Sequence, residues 1–265
     1  SREIQMFKSP VRFILSVLVL LLFTLPAAAI ADDSPPPLAE IWLITPKAGH
    51  QAEFMKALEE HMAFRSSHGD PRAWETYTPV LGKDLNRVGI RYCCFSWADQ
   101  DSYEEWAAGA TEIRQNMEET LVPHTEKSEH YLESLDWGNS HWVEADKPYR
   151  FYAVTEYTIK PGHAMAFDAA RDKISQIALN QGWATDNHPW LWASTIGGEP
   201  VESIIIPHVN YASFERSGES FLTFLSRHMS ADDATALLSE FANASSSMNF
   251  QIWEHHENLS MKTGE

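Results

Sequence analysis

Tyr157-Thr-Ile-Lys-Pro-Gly-His-Ala-Met-Ala-Phe167 is written a second time upstream, as Ile44-Thr-Pro-Lys-Ala-Gly-His-Gln-Ala-Glu-Phe54, and this echo decides the fold. Each copy reads as the end of an apolar strand, a Lys-x-Gly-His turn, and the first turn of a helix carrying Phe. Gly49 and Gly162 stand 113 residues apart.

Working outward from the two junctions, the same order of elements appears twice. In the first half, Leu38 to Ile44 reads as a strand. Phe54, Leu58 and Met62 then share one face of a helix. Trp74 to Val80 and Arg87 to Trp97 read as a hairpin around Leu81-Gly-Lys-Asp84. Asp99 caps a helical segment through Tyr103 and Trp106, and a longer amphipathic stretch runs to about Leu135, broken at Pro123. Asn139 to Ala145 supplies a fourth strand. In the second half, Arg150 to Ile159 is a strand and Gly162 opens a helix. Trp190 to Thr195 and Val201 to His208 form a hairpin, Asn210 caps a helix, and Ser217 to Met229 and Ala231 to Ala244 are helical. Asn249 to His256 closes the set, matching Trp142 to Trp253. The offsets lie between 111 and 115 residues, which is the mark of a duplication.

A four-stranded sheet with helices on one face leaves its other face bare, and both need cover. The strands are apolar on both faces: Val88, Ile90 and Tyr92 on one, Phe95 and Trp97 on the other. The expected fold is therefore α+β, with two tandem ferredoxin-like βαββαβ repeats whose antiparallel sheets pack into one intrachain barrel. The repeats are placed at 38–147 and 148–260, with a tail at 261–265.

Residues 1–31 read as a signal peptide, with Ser1 to Gln5 upstream of a natural start at Met6. Lys8 and Arg12 precede an apolar run from Phe13 to Leu25, and Ala29-Ile-Ala31 fits a cleavage site. That run falls short of the ~20 residues a spanning helix needs. Asp32 to Pro37 reads as an extended tether. The expected location is periplasmic or secreted, with no membrane partner after cleavage.

The formal net charge is −17, and it becomes −19 without the leader, which holds Arg2, Lys8, Arg12 and Glu3. So acidic a chain disfavours nucleic acid and anionic membranes as partners. Cys93 and Cys94 are adjacent, and neighbours on a strand point to opposite faces. Two buried free thiols are expected rather than a structural disulfide.

The repeated Gly-His-x-x-x-Phe junction, followed by a hairpin and a capped second helix, resembles the dimeric α/β-barrel superfamily. Within it the modules are most similar to antibiotic-biosynthesis-monooxygenase-like and NIPSNAP-like ones. The resemblance implies a small apolar or aromatic ligand, and one reading is a cofactor-independent monooxygenase acting on a flat or phenolic substrate. A second is a haem-binding protein of the chlorite-dismutase type, with His208 or His163 as axial ligand. A third is a non-catalytic envelope or stress protein with a filled barrel. No cofactor is expected under the first reading, and either a monomer or a homodimer is compatible with the duplication.

For the first reading, His208 and His188 are the candidate bases, because a neutral imidazole can take a phenolic proton. Arg91, Tyr77, Trp97, Trp190 and Trp192 are the candidate substrate-binding residues. Tyr77 aligns with Trp192 through the Gly turns, and His208 with Trp97. Each residue also has a plain structural reading: core for the tryptophans, loop or strand end for the histidines, a surface ion pair for Arg91. His50 and His163 recur at the repeated junction, by inheritance from one ancestor or as neutral rings at a helix start. His124, His130 and His141 lack zinc-site spacing, and no metal is expected.

Overall fold

The computed structural model describes residues 35–144, 148–215 and 218–262. The expected leader and the start of the tether lie outside the described residues. The first repeat consists of β1 (Leu38–Pro46), α1 (Gln51–Ser67), β2 (Glu75–Leu81), β3 (Val88–Phe95), α2 (Trp97–Gly109), α3 (Thr111–Thr120) and β4 (Thr125–His141). The second consists of β5 (Phe151–Ile159), α4 (Ala164–Asn180), β6 (Trp190–Ile196), β7 (Val201–His208), α5 (Phe221–His228), α6 (Ala231–Asn243) and β8 (Ser245–His255).

The eight strands close into one antiparallel barrel in the order β1-β3-β2-β8-β5-β7-β6-β4. Within it each repeat keeps the same internal order, β4-β1-β3-β2 and β8-β5-β7-β6. The seams are the pairs β2–β8 and β4–β6. Closure leaves no sheet edge unpaired, which removes the hazard of open strand edges. The α+β fold with tandem ferredoxin-like repeats is therefore present within one chain.

The duplicated junction explains its own sequence. Gly49 and Gly162 sit at φ of 82° and 81°, a left-handed turn that a side chain disfavours. The amides of His50 and His163 bond back to the carbonyls of Lys47 and Lys160. Phe54 and Phe167 then donate their amides to the two histidine carbonyls and are fully buried. Lys47 and Lys160 reach the carbonyls of Pro123 and Asn243, ahead of each repeat's last strand. One motif thus ties the first strand, first helix and last strand of each repeat together.

Two layers result. Outside the barrel, Phe54, Leu58 and Met62 of α1 pack on Val88 and Ile90, while Phe167 and Ala178 of α4 pack on Trp190 and Trp192. Inside lie Ala39, Leu135, Leu191 and Ala193, joined by Cys93, Cys94 and Ile205. Met261, assigned to the tail, is buried against the first repeat, its amide donating to the Trp74 carbonyl. The carbonyl of Pro37, at the end of the expected tether, accepts from the Leu135 amide.

Several expectations are corrected. The polar run from Thr125 is the start of a long strand rather than the end of a helix, because pairing with β1 overrides its local composition. This shifts the match of the last strands: His130 stands opposite Trp42 and Phe250 opposite Thr155, so His130 and Phe250 are the equivalent pair, not Trp142 and Trp253. In β3, Leu38 faces Phe95 and Ala39 faces Cys93, so Cys94 is the extra residue of a β-bulge. The bulge turns Phe95 to the helix side, where it stacks on Tyr92. Cys93 and Cys94 are joined to each other, not free, since the alternation that would separate them is interrupted there. Trp97 does not end β3 but begins α2, capped by Ser96 with Asp99 reciprocating.

Candidate functional site

The pairing register decides which side chains enter the barrel. Tyr77 lies opposite Gly89, Arg91 opposite both Glu75 and Ile41, and Tyr152 opposite Trp253. Gly89 lets the Trp253 ring approach: a Cβ there would meet the ring at 3.3 Å and Leu43 at 3.7 Å. Trp253, Leu43 and the Gly89 position therefore share the lumen, and alternation carries Arg91, Tyr77 and Tyr152 to the same side.

The polar centre of the lumen is Arg91. Its Nε donates to Glu133 Oε2 at 3.3 Å. Its Nη2 is enclosed and has no partner among the described residues. The side chain as a whole is 19 % exposed, so Arg91 borders accessible space although that one nitrogen does not. Burial opposes its charge, but Glu133 and then Tyr77 more than compensate and raise its pKa. Tyr77 donates to Glu75 Oε2 at 2.6 Å and meets Tyr152 edge-on at 5.4 Å and His255 at 5.1 Å. Burial first, then the Glu75 charge, pushes the Tyr77 hydroxyl well above its usual pKa and that of Tyr152 to about 12. Both phenols stay protonated at neutral pH.

Of the inward-facing residues, Ala39, Leu135, Leu191 and Ala193 are buried, while Ile41, Leu43, Val154 and Ile205 are half-buried. Glu133 is enclosed beside Arg91, while Glu75, which accepts from Tyr77, is exposed.

The remaining candidates are not brought here. Trp190 and Trp192 face the helices, donating their indole N–H groups to the Asn139 carbonyl at 2.7 Å and to Ser175 Oγ at 3.1 Å. Trp192 faces Ile204 and Thr76 faces Ile90, so Trp192 is the counterpart of Thr76 and Tyr77 that of Ala193. A one-residue slip in the expected alignment exchanged the faces. Trp97 is 56 % exposed.

His208 pairs with Phe151 as Phe95 pairs with Leu38, so it matches Phe95 rather than Trp97. It stacks on Phe214 at 3.8 Å, its Nδ1 bonded to the Ser213 carbonyl, and burial lowers its pKa. His188 stacks on Trp183 in the loop after α4. Neither histidine faces the lumen, and their assignment as bases there fails. His163 is exposed at the start of α4. His50 contacts His124 at 3.0 Å on the surface.

Between the first sheet and its helices lies a buried polar network that the sequence did not announce. Arg72, 3 % exposed, pairs with Glu40 and donates to Gln100 at 2.7 Å. Its guanidinium lies 3.7 Å from the Tyr103 ring centroid and 4.3 Å from that of Phe95. Glu40 also accepts from Trp42 at 3.0 Å and meets His130 Nε2 at 2.7 Å. Burial works to raise the Glu40 pKa, but His130 and Arg72 together hold it below the usual value. The one available signal was a lone carboxylate inside Leu38-Ala-Glu-Ile-Trp-Leu-Ile44. Among the described residues no group of three or more His, Cys, Asp or Glu is placed to hold a metal ion, and no helix is long and apolar enough to cross a membrane.

The closed barrel of two ferredoxin-like halves has the dimeric α/β-barrel fold, here made by a single chain. A candidate monooxygenase from Fusobacterium nucleatum subsp. nucleatum ATCC 25586 shares it at a TM-score of 0.54 and 8 % identity, over 87 % of this chain and 96 % of that one. An anthrone oxidase-like protein shares it at 0.51 and 12 %, over 86 % and 94 %. A candidate monooxygenase from Lactobacillus acidophilus NCFM does so at 0.50 and 10 %, over 86 % and 97 %. No protein-family model matches the sequence, and no curated protein does.

Proposed function

We propose that this chain is an exported small-molecule-binding barrel that takes a flat, neutral aromatic molecule into its lumen and oxygenates it without a cofactor. The observation that carries the reading is Arg91, whose enclosed Nη2 lacks an acceptor among the described residues although the side chain as a whole is 19 % exposed. A buried donor without a partner costs about 1–3 kcal/mol, which a ligand oxygen would recover. Glu133 and Glu75 already oppose the Arg91 charge, so a carboxylate ligand would meet net repulsion. A carbonyl or phenolic oxygen suits the site better. Tyr77, Tyr152 and Trp253 supply rings for the flat body of the ligand. The shared fold of the monooxygenase-like and anthrone oxidase-like neighbours supports the chemistry, in which dioxygen would turn a ring CH2 into a carbonyl and release water.

The test uses anthrone as probe, with residues 32–265. Quenching of tryptophan fluorescence by anthrone, and oxygen uptake when both are present, are the expected results, and Arg91→Met should weaken binding about tenfold or more. Unchanged affinity in Arg91→Met would overturn the lumen site. Binding without oxygen uptake would leave a carrier and remove the enzymatic part.

A further inference from the structure

The Glu40–His130 pair has the parts of a positioned base, and it lies on the opposite side of the sheet from Arg91. Trp42 and His130 stand directly across β1 and β4, and Glu40 is their diagonal neighbour on the same face. The Trp42 and His130 rings stack at 4.0 Å with planes 8° apart, which fixes the imidazole plane. Glu40 Oε1 lies 2.7 Å from Nε2, and Glu40 is buried and held ionised by Arg72. An ionised carboxylate accepts only, so Nε2 carries a proton, and in the neutral ring Nδ1 is the nitrogen with the free lone pair. Nδ1 has no partner among the described residues, and the His130 side chain is 41 % exposed. Leu132, opposite both Glu40 and Ile196, continues this face as an apolar patch.

The second repeat lacks the arrangement. Ala153 and Thr155 stand where Glu40 and Trp42 stand, and Phe250 takes the place of His130. A device for holding the two sheets would be expected in both copies.

We infer that His130 is a general base, oriented by Glu40, that takes a proton from an acidic C–H or O–H group of an aromatic small molecule resting against Trp42, Leu132 and Ile196. Nδ1 receives the proton, the bonding electron pair stays on the substrate as an enolate or phenolate, and Glu40 stabilises the imidazolium. Glu40 is a positioning residue and His130 the catalytic one. The inference does not rest on the lumen reading.

Nitrobenzisoxazole is the probe. Removal of its ring C–H proton by Nδ1 breaks the N–O bond and leaves a coloured cyano-nitrophenolate, with no oxidant or cofactor needed. The folded protein is expected to exceed the rate of free imidazole, with His130→Ala lowering that rate about a hundredfold, within the range for a positioned base. Glu40→Gln should give an intermediate loss, with the nitrogen NMR shifts of His130 reporting a mixture of tautomers instead of the Nε2–H form. Should Glu40→Gln fail to fold, His130→Gln, at an exposed position, still decides the matter. An undiminished rate in both His130 variants, or a wild-type rate equal to that of free imidazole, would overturn the assignment.

Discussion

The two sheet–helix layers are built on the same backbone and both have an apolar core, but they differ in the polar groups placed beside it. In the first, Arg72 stands among Tyr92, Phe95 and Tyr103 and is paired with the buried carboxylate of Glu40. In the second, Trp190, Trp192, Phe167 and Phe241 make an aromatic core. Its arginine, Arg171, is also buried and is shared among Asp136, Asp168, Asp172 and Glu202. Phe54 and Phe167 keep the same place in both. Duplication therefore kept the junction that sets helix against sheet, while the polar groups beyond it diverged between the copies.

The largest test of that contrast is the pair Arg72→Met and Arg171→Met. Removing Arg72 leaves the buried Glu40 carboxylate with only Trp42 and the half-exposed His130 as partners, which costs up to about 3–5 kcal/mol. Arg171 leaves four carboxylates, of which Asp168 and Asp172 are half-exposed and can hydrate. Urea unfolding should show the smaller loss for Arg171→Met, and the reverse order would break the comparison.

Acid titration sharpens it. The folded pKa of Glu40 is lowered, so its contribution is present above the unfolded value of about 4.3 and is lost as pH falls through the folded pKa. Glu202 is the other way round. Burial raises its pKa despite Ser194 and Arg171, so its contribution is complete below the unfolded value and is lost as pH rises through the folded one. Unfolding midpoints measured across the acid range should lose a stabilising limb in Glu40→Gln and a destabilising one in Glu202→Gln. Slopes of the same sign in both variants would contradict the assignment.

The smallest effect belongs to Trp97→Ala. That indole is mostly exposed at the start of α2, and thermal unfolding should change by no more than about 0.5 kcal/mol.

Legibility followed the range of the interactions. Lys-x-Gly-His-x-x-x-Phe could be read because its turn, its helix start and its buried Phe all lie within eight residues. The helices α1 and α4 were legible from their apolar spacing. The strand from Thr125 was not, since Thr-Glu-Lys-Ser-Glu-His carries no apolar alternation and becomes a strand only by pairing with β1. Arg91 was placed on a face that proved to look inward. Trp190, Trp192 and His208 were placed in one pocket and were divided between a packed core and a strand end.

By itself the sequence determined the duplication, the order of elements and the closure of two sheets into one barrel. These follow from local turn chemistry and from the need of each sheet to cover its second face. The tertiary structure alone decided which face each side chain takes and which distant residues meet. A single extra residue at Cys94 reverses the facing of Phe95, and a one-residue slip separates Tyr77 from Trp192. Glu40, Arg72 and His130 come from a strand, a loop and a strand 90 residues away. Only folding brings their charges together.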